Sequence, residues 1–277
     1  MNNILLKLLC SSAILFYVSF PASAGINTDS TKFIAANSTS SNSVTRTVIK
    51  EANVVYPAVL SAHMDESLNY VQNFSNKKKS YLKTIYQKGK NLLPQVEQVF
   101  KTYHVPQELK MLIALESNFN ANARSGAGAV GYWQFMDEAA MEYGLDISGG
   151  KASGKRKGKK KDDRTNFLKS TVAAAKYLRD RAHDLNNDLL LVVASYNWGI
   201  GNIWKAMKKT GLSNPGFWDI KKYLPAETKA YVMNFIALNV LFQNYDNFLK
   251  NQLVFSTQTV EVPISENVGK INTSVTD

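Results

Sequence analysis

The sequence predicts an all-α protein, with a compact helical body, a helical N-terminal extension and little or no sheet. Apolar residues recur at helical spacing in most segments between Pro57 and Phe248. One of these segments, residues 106–116, is apolar on almost every face, which is typical of a helix buried inside a domain. Strand-like alternation occurs only from Leu253 to Ile264, which is too short to make a sheet alone.

The first 24 residues have the features of a secretory signal peptide. Lys7 precedes an apolar stretch, and a small-residue cleavage site ends at Ala24. The apolar stretch is shorter than the roughly 20 residues that a membrane-spanning helix needs. We therefore expect an exported protein. Cys10, the single cysteine, lies in this segment, so the mature chain would have no disulfide and no thiol chemistry.

The rest of the chain divides by composition. We predict a disordered linker over residues 25–50, a helical extension over 51–104, a compact domain over 105–250 and a C-terminal tail over 251–277. Within the compact domain, residues 148–164 are predicted to form a flexible loop.

That loop contains a strongly basic run from Lys151 to Lys161. The formal net charge of the chain is +11, and loss of Lys7 with the signal peptide leaves +10 (11 − 1). Two interpretations of the run stay open: a solvated loop, or a contact with anionic wall polymers or a membrane surface. Nucleic acid is not an expected partner.

The helices of the body are predicted in order. Their expected ranges are 57–90 (one or two helices), 91–103, 106–116, 136–143, 165–185, 188–195, 199–208 and 227–248. Pro106 suits the first turn of the third range, and Glu108 there favours the positive end of the helix dipole. Gly144 is expected to close the fourth range.

The residue patterns argue against three chemistries. The glycines from Gly126 to Gly131 fit a dinucleotide-binding string, but a helix precedes them and no parallel-sheet pattern follows. They are expected to let the backbone turn tightly and approach a ligand. The three histidines lack metal-ligand spacing, and no serine lies in a nucleophile elbow. No cofactor and no metal are predicted.

Glu116 is the main candidate for chemistry. It lies on the inward-facing stripe of its helix, although an ion pair with a basic residue such as Arg124 is an open alternative. Burial disfavours the charged form of a carboxyl group, and a protonated carboxyl is what a general acid needs. The Asn, Ser, Gln134 and Trp133 that follow are suited to holding sugars.

Four motifs in this order resemble the soluble-type lytic transglycosylases of the lysozyme-like superfamily. They are Glu116-Ser-Asn-Phe-Asn, the stretch Ala123 to Met136, Ser195-Tyr-Asn-Trp-Gly-Ile-Gly-Asn202, and Leu224 to Val232. The segment from Asp163 to Leu178 is similar to the membrane-bound D subgroup. The resemblance implies a lysozyme-like catalytic domain over residues 105–250 that acts on peptidoglycan, in the periplasm or cell envelope.

The resemblance also implies a mechanism. Glu116 matches the single acid/base of the family, which cleaves the β-1,4 bond between N-acetylmuramic acid and N-acetylglucosamine and leaves a 1,6-anhydro end. Residues at substrate-binding positions would be Ser125, Gln134, Tyr196, Asn197, Glu227 and Tyr231.

Two rival functions use the same fold. A muramidase of the goose-lysozyme kind would need a second carboxylate to activate water, for which Asp137, Glu138 and Asp146 are candidates. A non-catalytic wall-binding protein would use the basic loop as its main contact.

Overall fold

The computed structural model describes residues 45–147 and 162–263. The predicted signal peptide and the run from Lys151 to Lys161 lie outside these residues. The described chain forms two compact units, a helical one within Val55–Gln252 and a small one that contains two strands. The predicted all-α class is confirmed, with one short sheet added to it.

The N-terminal part of the helical unit contains four helices. They are α1 (Ala58–Ser61), α2 (Met64–Lys77), α3 (Lys79–Gly89) and α4 (Leu93–Thr102). Their buried apolar residues, such as Val71, Leu82 and Phe100, recur at helical spacing, as the amphipathic pattern predicts. The range predicted to hold one or two helices, 57–90, thus holds three.

The segment that leads to Glu116 begins with a 3-10 helix, Gln107–Met111, and continues as α5 (Leu112–Ser117). The single helix predicted from Pro106 is therefore wrong in its first turns, where the amide of Leu109 bonds the carbonyl of Pro106 three residues earlier. Asn118 ends α5 with a left-handed backbone (φ 52°), which turns the chain at once. A loop then leads to α6 (Asp137–Glu142).

The C-terminal half completes the helical unit. It contains α7 (Phe167–Asp184), α8 (Leu189–Trp198), α9 (Ile200–Lys208), α10 (Phe217–Ile220), α11 (Ala226–Gln243) and α12 (Tyr245–Leu249). Asn166 and Asp188 cap α7 and α8 by accepting hydrogen bonds from backbone amides.

The centre of this unit is formed by α8 and α11, which are buried on most faces and pack against each other. The helix predicted over 227–248 is interrupted at Asn244, whose side chain bonds the backbone of Val55 through both its oxygen and its nitrogen. The same nitrogen also donates to the carbonyl of Val240 at 2.7 Å, and a side-chain bond to a carbonyl four residues earlier competes with the backbone ladder of a helix.

The second unit contains an antiparallel pair of strands, β1 (Thr45–Lys50) and β2 (Gln258–Pro263). Thr45 pairs with Pro263 and Lys50 with Gln258. Residues 45–50 were predicted to be disordered linker, so that prediction is wrong for them. The strand-like alternation from Leu253 to Ile264 had no recognisable partner in the sequence, because the strand that pairs with it is about 200 residues away.

The predicted flexible loop also ends earlier than residue 164. Asp163 and Arg164 are buried, and a 3-10 helix covers Asp163–Thr165. The guanidinium of Arg164 donates to both carboxylate oxygens of Asp162 at 2.9 Å, and to Asp137 and the carbonyl of Phe135. These charge-assisted bonds fix a segment whose composition alone indicates mobility.

Candidate active site

Glu116 is buried at the C-terminal end of α5, with 5% of its surface exposed. The phenol of Tyr231, on α11, donates a hydrogen bond to its Oε1. The two helices pack together, so the bond joins two rigid elements. The sequence alternatives for Glu116 included an ion pair with Arg124, and the partner found for Oε1 is a neutral phenol.

Tyr231 is itself buried, and its pKa is raised well above the usual 10.0. Burial is the larger cause, and the negative charge of Glu116 and the hydrogen bond to it add to the effect. Tyr231 therefore keeps its proton at neutral pH and acts as a donor to the carboxyl group.

Two more tyrosines lie close enough to sense the charge of Glu116. Burial raises the pKa of Tyr196 well above 10.0, and the Glu116 charge raises it further. The pKa of Tyr177 is raised to about 12, mainly by burial. The rings of Tyr177 and Tyr196 meet edge to face, with their centroids 5.4 Å apart. Glu116 thus lies in a buried environment rich in protonated phenols.

The loop after α5 is held together by its own polar side chains. Gln134 Nε2 donates to the carbonyls of Ala123 (3.1 Å) and Gly131 (2.8 Å), and the backbone of Gln134 is left-handed (φ 50°). The Oγ of Ser125 accepts from the amide of Ala129 at 3.0 Å. Two of the predicted substrate-binding side chains therefore also stabilise the loop.

Gly131 is required by a close backbone approach. It has a φ of 86°, and a Cβ placed on it would lie 2.0 Å from the carbonyl oxygen of Arg164. The glycine-rich stretch was expected to approach a ligand, whereas here Gly131 approaches another part of the chain. The glycine joins this loop to the Arg164 ion-pair network.

Trp133 belongs to the core and not to a sugar-binding surface. Its side chain has 0% exposure, its indole nitrogen donates to Thr171 Oγ1 at 3.1 Å, and its ring lies 5.7 Å from that of Phe100. The expectation that Trp133 helps to hold sugars is therefore wrong. Its carbonyl accepts the Tyr196 hydroxyl at 2.7 Å, which ties α8 to the loop.

Asn197 and Glu227 lie in different environments. Asn197 is buried on α8, and its Oδ1 accepts from the hydroxyl of Thr228 at 2.9 Å. Its Nδ2 is buried without a hydrogen-bond partner in the part of the chain that the structure describes. Glu227 is exposed in the first turn of α11.

The structure brings Glu116, Tyr196 and Tyr231 together and places Gln134 and Ser125 on the adjoining loop. Sequence reasoning missed Thr228 and Tyr177. Tyr177 lies in the segment from Asp163 to Leu178 and Thr228 in the motif from Leu224 to Val232. For Thr228 the helical register was the available signal, because it is three positions before Tyr231 on α11 and therefore on the same side.

No metal site was found in residues 45–147 and 162–263, where no three His, Cys, Asp or Glu side chains come together. A pocket of about 310 Å³ lies between α4, the 3-10 helix Gln107–Met111 and α11, and is lined by residues such as Leu93, Met111 and Phe242. None of the predicted site residues lines it. Among the described helices, none has the length and apolar character needed to cross a membrane.

Comparison with known proteins gives a family match. Residues 95–215 match the Transglycosylase SLT domain. The chain is 32% identical over 182 residues to the membrane-bound lytic murein transglycosylase D of Escherichia coli strain K12, which covers 65% of this chain and 36% of that protein. It is 28% identical over 177 residues to the membrane-bound lytic murein transglycosylase F of Aeromonas salmonicida, covering 59% and 32%.

The chain therefore matches about a third of the length of each of these relatives. Among solved structures, the 70 kDa soluble lytic transglycosylase of Escherichia coli aligns with a TM-score of 0.43 at 17% identity, over 68% of this chain and 32% of that one.

Proposed function

Because the chain belongs to the lytic transglycosylase family, we propose that it cleaves peptidoglycan without consuming water. The bond broken is the β-1,4 link between N-acetylmuramic acid and N-acetylglucosamine, and the product carries a 1,6-anhydromuramic acid end. The observation that carries the proposal is the buried carboxyl of Glu116, held by the phenol of Tyr231.

In this mechanism Glu116 acts twice. As an acid it gives its proton to the glycosidic oxygen while the bond from C1 to that oxygen breaks. As a base it then takes the proton of the muramic acid 6-hydroxyl, whose oxygen forms the new bond to C1. The proton returns to Glu116 and no water is used. The substrate's own N-acetyl group would assist in place of a second carboxylate.

Tyr231 supports both steps. Its hydrogen bond occupies Oε1 of Glu116 and restricts rotation of the carboxyl group. A donor of this kind stabilises the ionised carboxyl, whereas burial stabilises the protonated one. The two effects oppose each other, which suits a group that must release and recover a proton in one cycle.

We assign substrate binding to five polar side chains: Ser125, Gln134, Tyr196, Asn197 and Glu227. Asn197 has the most direct support, because Thr228 fixes its Oδ1 and its Nδ2 is a buried donor without a partner in the described structure. An acceptor oxygen of the sugar would satisfy that donor. Ser125 and Gln134 would act from the loop that they stabilise.

The same proposal places the protein in the cell envelope after export. The basic residues from Lys151 to Lys161 would add contacts to anionic wall polymers or a membrane surface.

The decisive experiment is digestion of purified peptidoglycan followed by mass spectrometry of the muropeptides. We expect anhydro ends, which are one water lighter than reducing ends. Reducing ends would instead identify a muramidase, and absence of products a binding protein. One candidate carboxylate of a muramidase, Asp137, accepts a hydrogen bond from Arg164, which disfavours a role in activating water.

The variant Glu116→Gln keeps the shape of the side chain and removes the proton-transfer group. We expect it to bind peptidoglycan and release no products, whereas wild-type rates in this variant would refute the assignment. Glu142→Gln, on the exposed last turn of α6, is the matched control and should remain active.

A further inference from the structure

The solvent side of α9 is basic and aromatic. Trp204, Lys205, Lys208 and Lys209 are all exposed in its C-terminal half or just after it, while Ile200, Ile203 and Ala206 are buried. Helical spacing places these four exposed residues on one continuous face.

A second segment extends this surface. The hydroxyl of Tyr223 donates to the carbonyl of Lys209 at 3.2 Å, which holds the 3-10 helix Lys221–Tyr223 against the end of α9. The Tyr223 ring lies 5.9 Å from the Nζ of Lys209 and 5.0 Å from that of Lys222. Lys221 Nζ lies 4.3 Å from the ring of Trp218. We call the surface formed by Trp204, Lys205, Lys208, Lys209, Leu212, Lys221, Lys222 and Tyr223 the lysine–tryptophan face.

The charge of this region is unbalanced. Between Ile200 and Tyr231 the chain has six lysines and two acidic residues, Asp219 and Glu227, so the net charge is +4 (6 − 2). None of the six lysines forms an ion pair with a carboxylate in residues 45–147 and 162–263. Asp219 accepts from the amide of Gly216. Burial lowers the pKa of Lys221 and the charge of Glu66 raises it against that effect, but the carboxylate of Glu66 is hydrogen-bonded to His63.

Apolar side chains project from the same surface. Trp204 is 48% exposed and Leu212 is 56% exposed, next to the unpaired lysines. An indole is favoured at the boundary between water and lipid because it has an apolar body and one polar N–H group. Lysines beside it keep their ammonium groups near lipid headgroups while their methylene stems contact apolar material.

We propose that the lysine–tryptophan face docks on an anionic lipid bilayer, with Trp204 and Leu212 entering the interface and the lysines contacting the headgroups. A bilayer presents negative charge and an apolar layer side by side, which are the two features that this face complements. A purely ionic polymer such as nucleic acid or a phosphate-bearing wall polymer would use the lysines and leave Leu212 without a contact. The proposal concerns binding at the membrane surface and does not depend on the reaction at Glu116.

The test uses the full chain and vesicles of phosphatidylcholine, with and without phosphatidylglycerol. The readout is the emission of Trp204 alone, which is the difference between the emission of wild type and that of the Trp204→Phe variant. Vesicle binding by itself is not a sufficient readout, because the basic residues 151–161 can attract the chain to vesicles by themselves. We expect the Trp204 component to shift to shorter wavelength, and to be quenched by bromine-labelled lipid chains, only with the anionic vesicles. An unchanged Trp204 component on vesicles that bind the chain would overturn the proposal.

Lys205→Gln/Lys208→Gln/Lys209→Gln is the variant that tests the charge. Each lysine near an anionic surface is expected to contribute about fivefold to binding, or roughly 1 kcal/mol, so the triple variant should bind about 100-fold more weakly. Lys83→Gln/Lys88→Gln/Lys90→Gln, on exposed positions of and just after α3, has the same net charge and is the control.

Equal losses in the two triple variants would show a net-charge effect and no specific face. If the first triple variant instead lost binding to purified peptidoglycan or to DNA and kept its binding to vesicles, the partner would be a polymer and the membrane proposal would be wrong. Digestion of peptidoglycan by both variants should match wild type, which separates this result from any failure of the catalytic assignment.

Discussion

The phenol of Tyr231 donates a hydrogen bond to the carboxyl of Glu116, from a position 115 residues further along the chain. Both groups are buried, so the bond is made away from competing water. It connects α5 to α11 and couples the position of the candidate acid to the central helices of the fold.

Replacing Tyr231 with phenylalanine removes only the hydroxyl. We expect the rate of peptidoglycan cleavage to fall about 10- to 100-fold, because a hydrogen bond to a charged group contributes roughly 1.5–3 kcal/mol. The measurement is the initial rate of product release. Tyr103→Phe, on a half-buried residue after α4, is the control. A rate within twofold of wild type would show that Tyr231 does not support Glu116.

Thr228 is expected to position Asn197. Thr228→Val keeps the volume of the side chain but leaves Asn197 Oδ1 without its donor, so we expect kcat/KM for peptidoglycan fragments to fall roughly tenfold. Thr228→Ser retains the hydroxyl and should recover most of the activity. Equal activities of the valine and serine variants would contradict this role.

Three glycines of one loop form a graded series for substitution by alanine. At Gly126 the φ is outside the left-handed range and no atom lies within 4 Å of an added Cβ, so alanine should leave the free energy of unfolding nearly unchanged. At Gly128 an added Cβ also meets no atom, but the φ is 95°, so alanine should cost about 1–2 kcal/mol of backbone strain. Gly131 adds a clash with the Arg164 carbonyl and should cost more than both. Urea unfolding measures all three, and equal losses at Gly128 and Gly131 would show that the clash is relieved.

The buried tyrosines predict a loss of stability at alkaline pH. Their pKa values are higher in the folded protein than the 10.0 of an exposed tyrosine, and that of Tyr177 is about 12. The stability that they contribute is therefore fully present below pH 10. It declines as the pH rises from 10 towards the folded-state values, by roughly 2–3 kcal/mol for Tyr177 alone. Thermal unfolding across this range should show a shallower decline in Tyr177→Phe than in wild type. If stability fell equally with pH in the two proteins, the raised pKa of Tyr177 would not be the cause of the loss.

Deletion of residues 151–161 should weaken binding to intact cell walls without unfolding the protein. The flanking residues Asp146 and Asp163 are joined by a hydrogen bond between their backbones (2.9 Å), so a short Gly–Ser connection can replace the segment. The loss should be greatest at low salt, since ionic strength screens surface charge. A scrambled segment with the same composition is the control; unchanged low-salt binding in the deletion would show that the segment is inert.

Helical periodicity was sufficient to predict α7 and the buried position of Glu116, because burial of one helix face leaves a pattern in nearby residues. The helix α8, which is buried on most faces, was predicted from its apolar run instead. It could not predict contacts between distant segments. The Tyr231 bond, the β1–β2 pair and the approach of Gly131 to Arg164 join residues whose separation hides the relationship. Trp133 was misjudged for a similar reason: an indole suits a sugar site and a core equally well, and only the packing of Phe100 and Thr171 distinguishes them.

The register of β1 and β2 has a mechanical consequence. Thr45 and Pro263 are paired, so the chain enters and leaves the described structure at neighbouring points. Tension applied between the two ends would separate this first pair and then open the ladder one residue pair at a time. It would not shear all the hydrogen bonds of the ladder together. Unzipping requires less force than shearing, so the strand pair would yield first and extend under load before the helices that hold Glu116 are strained.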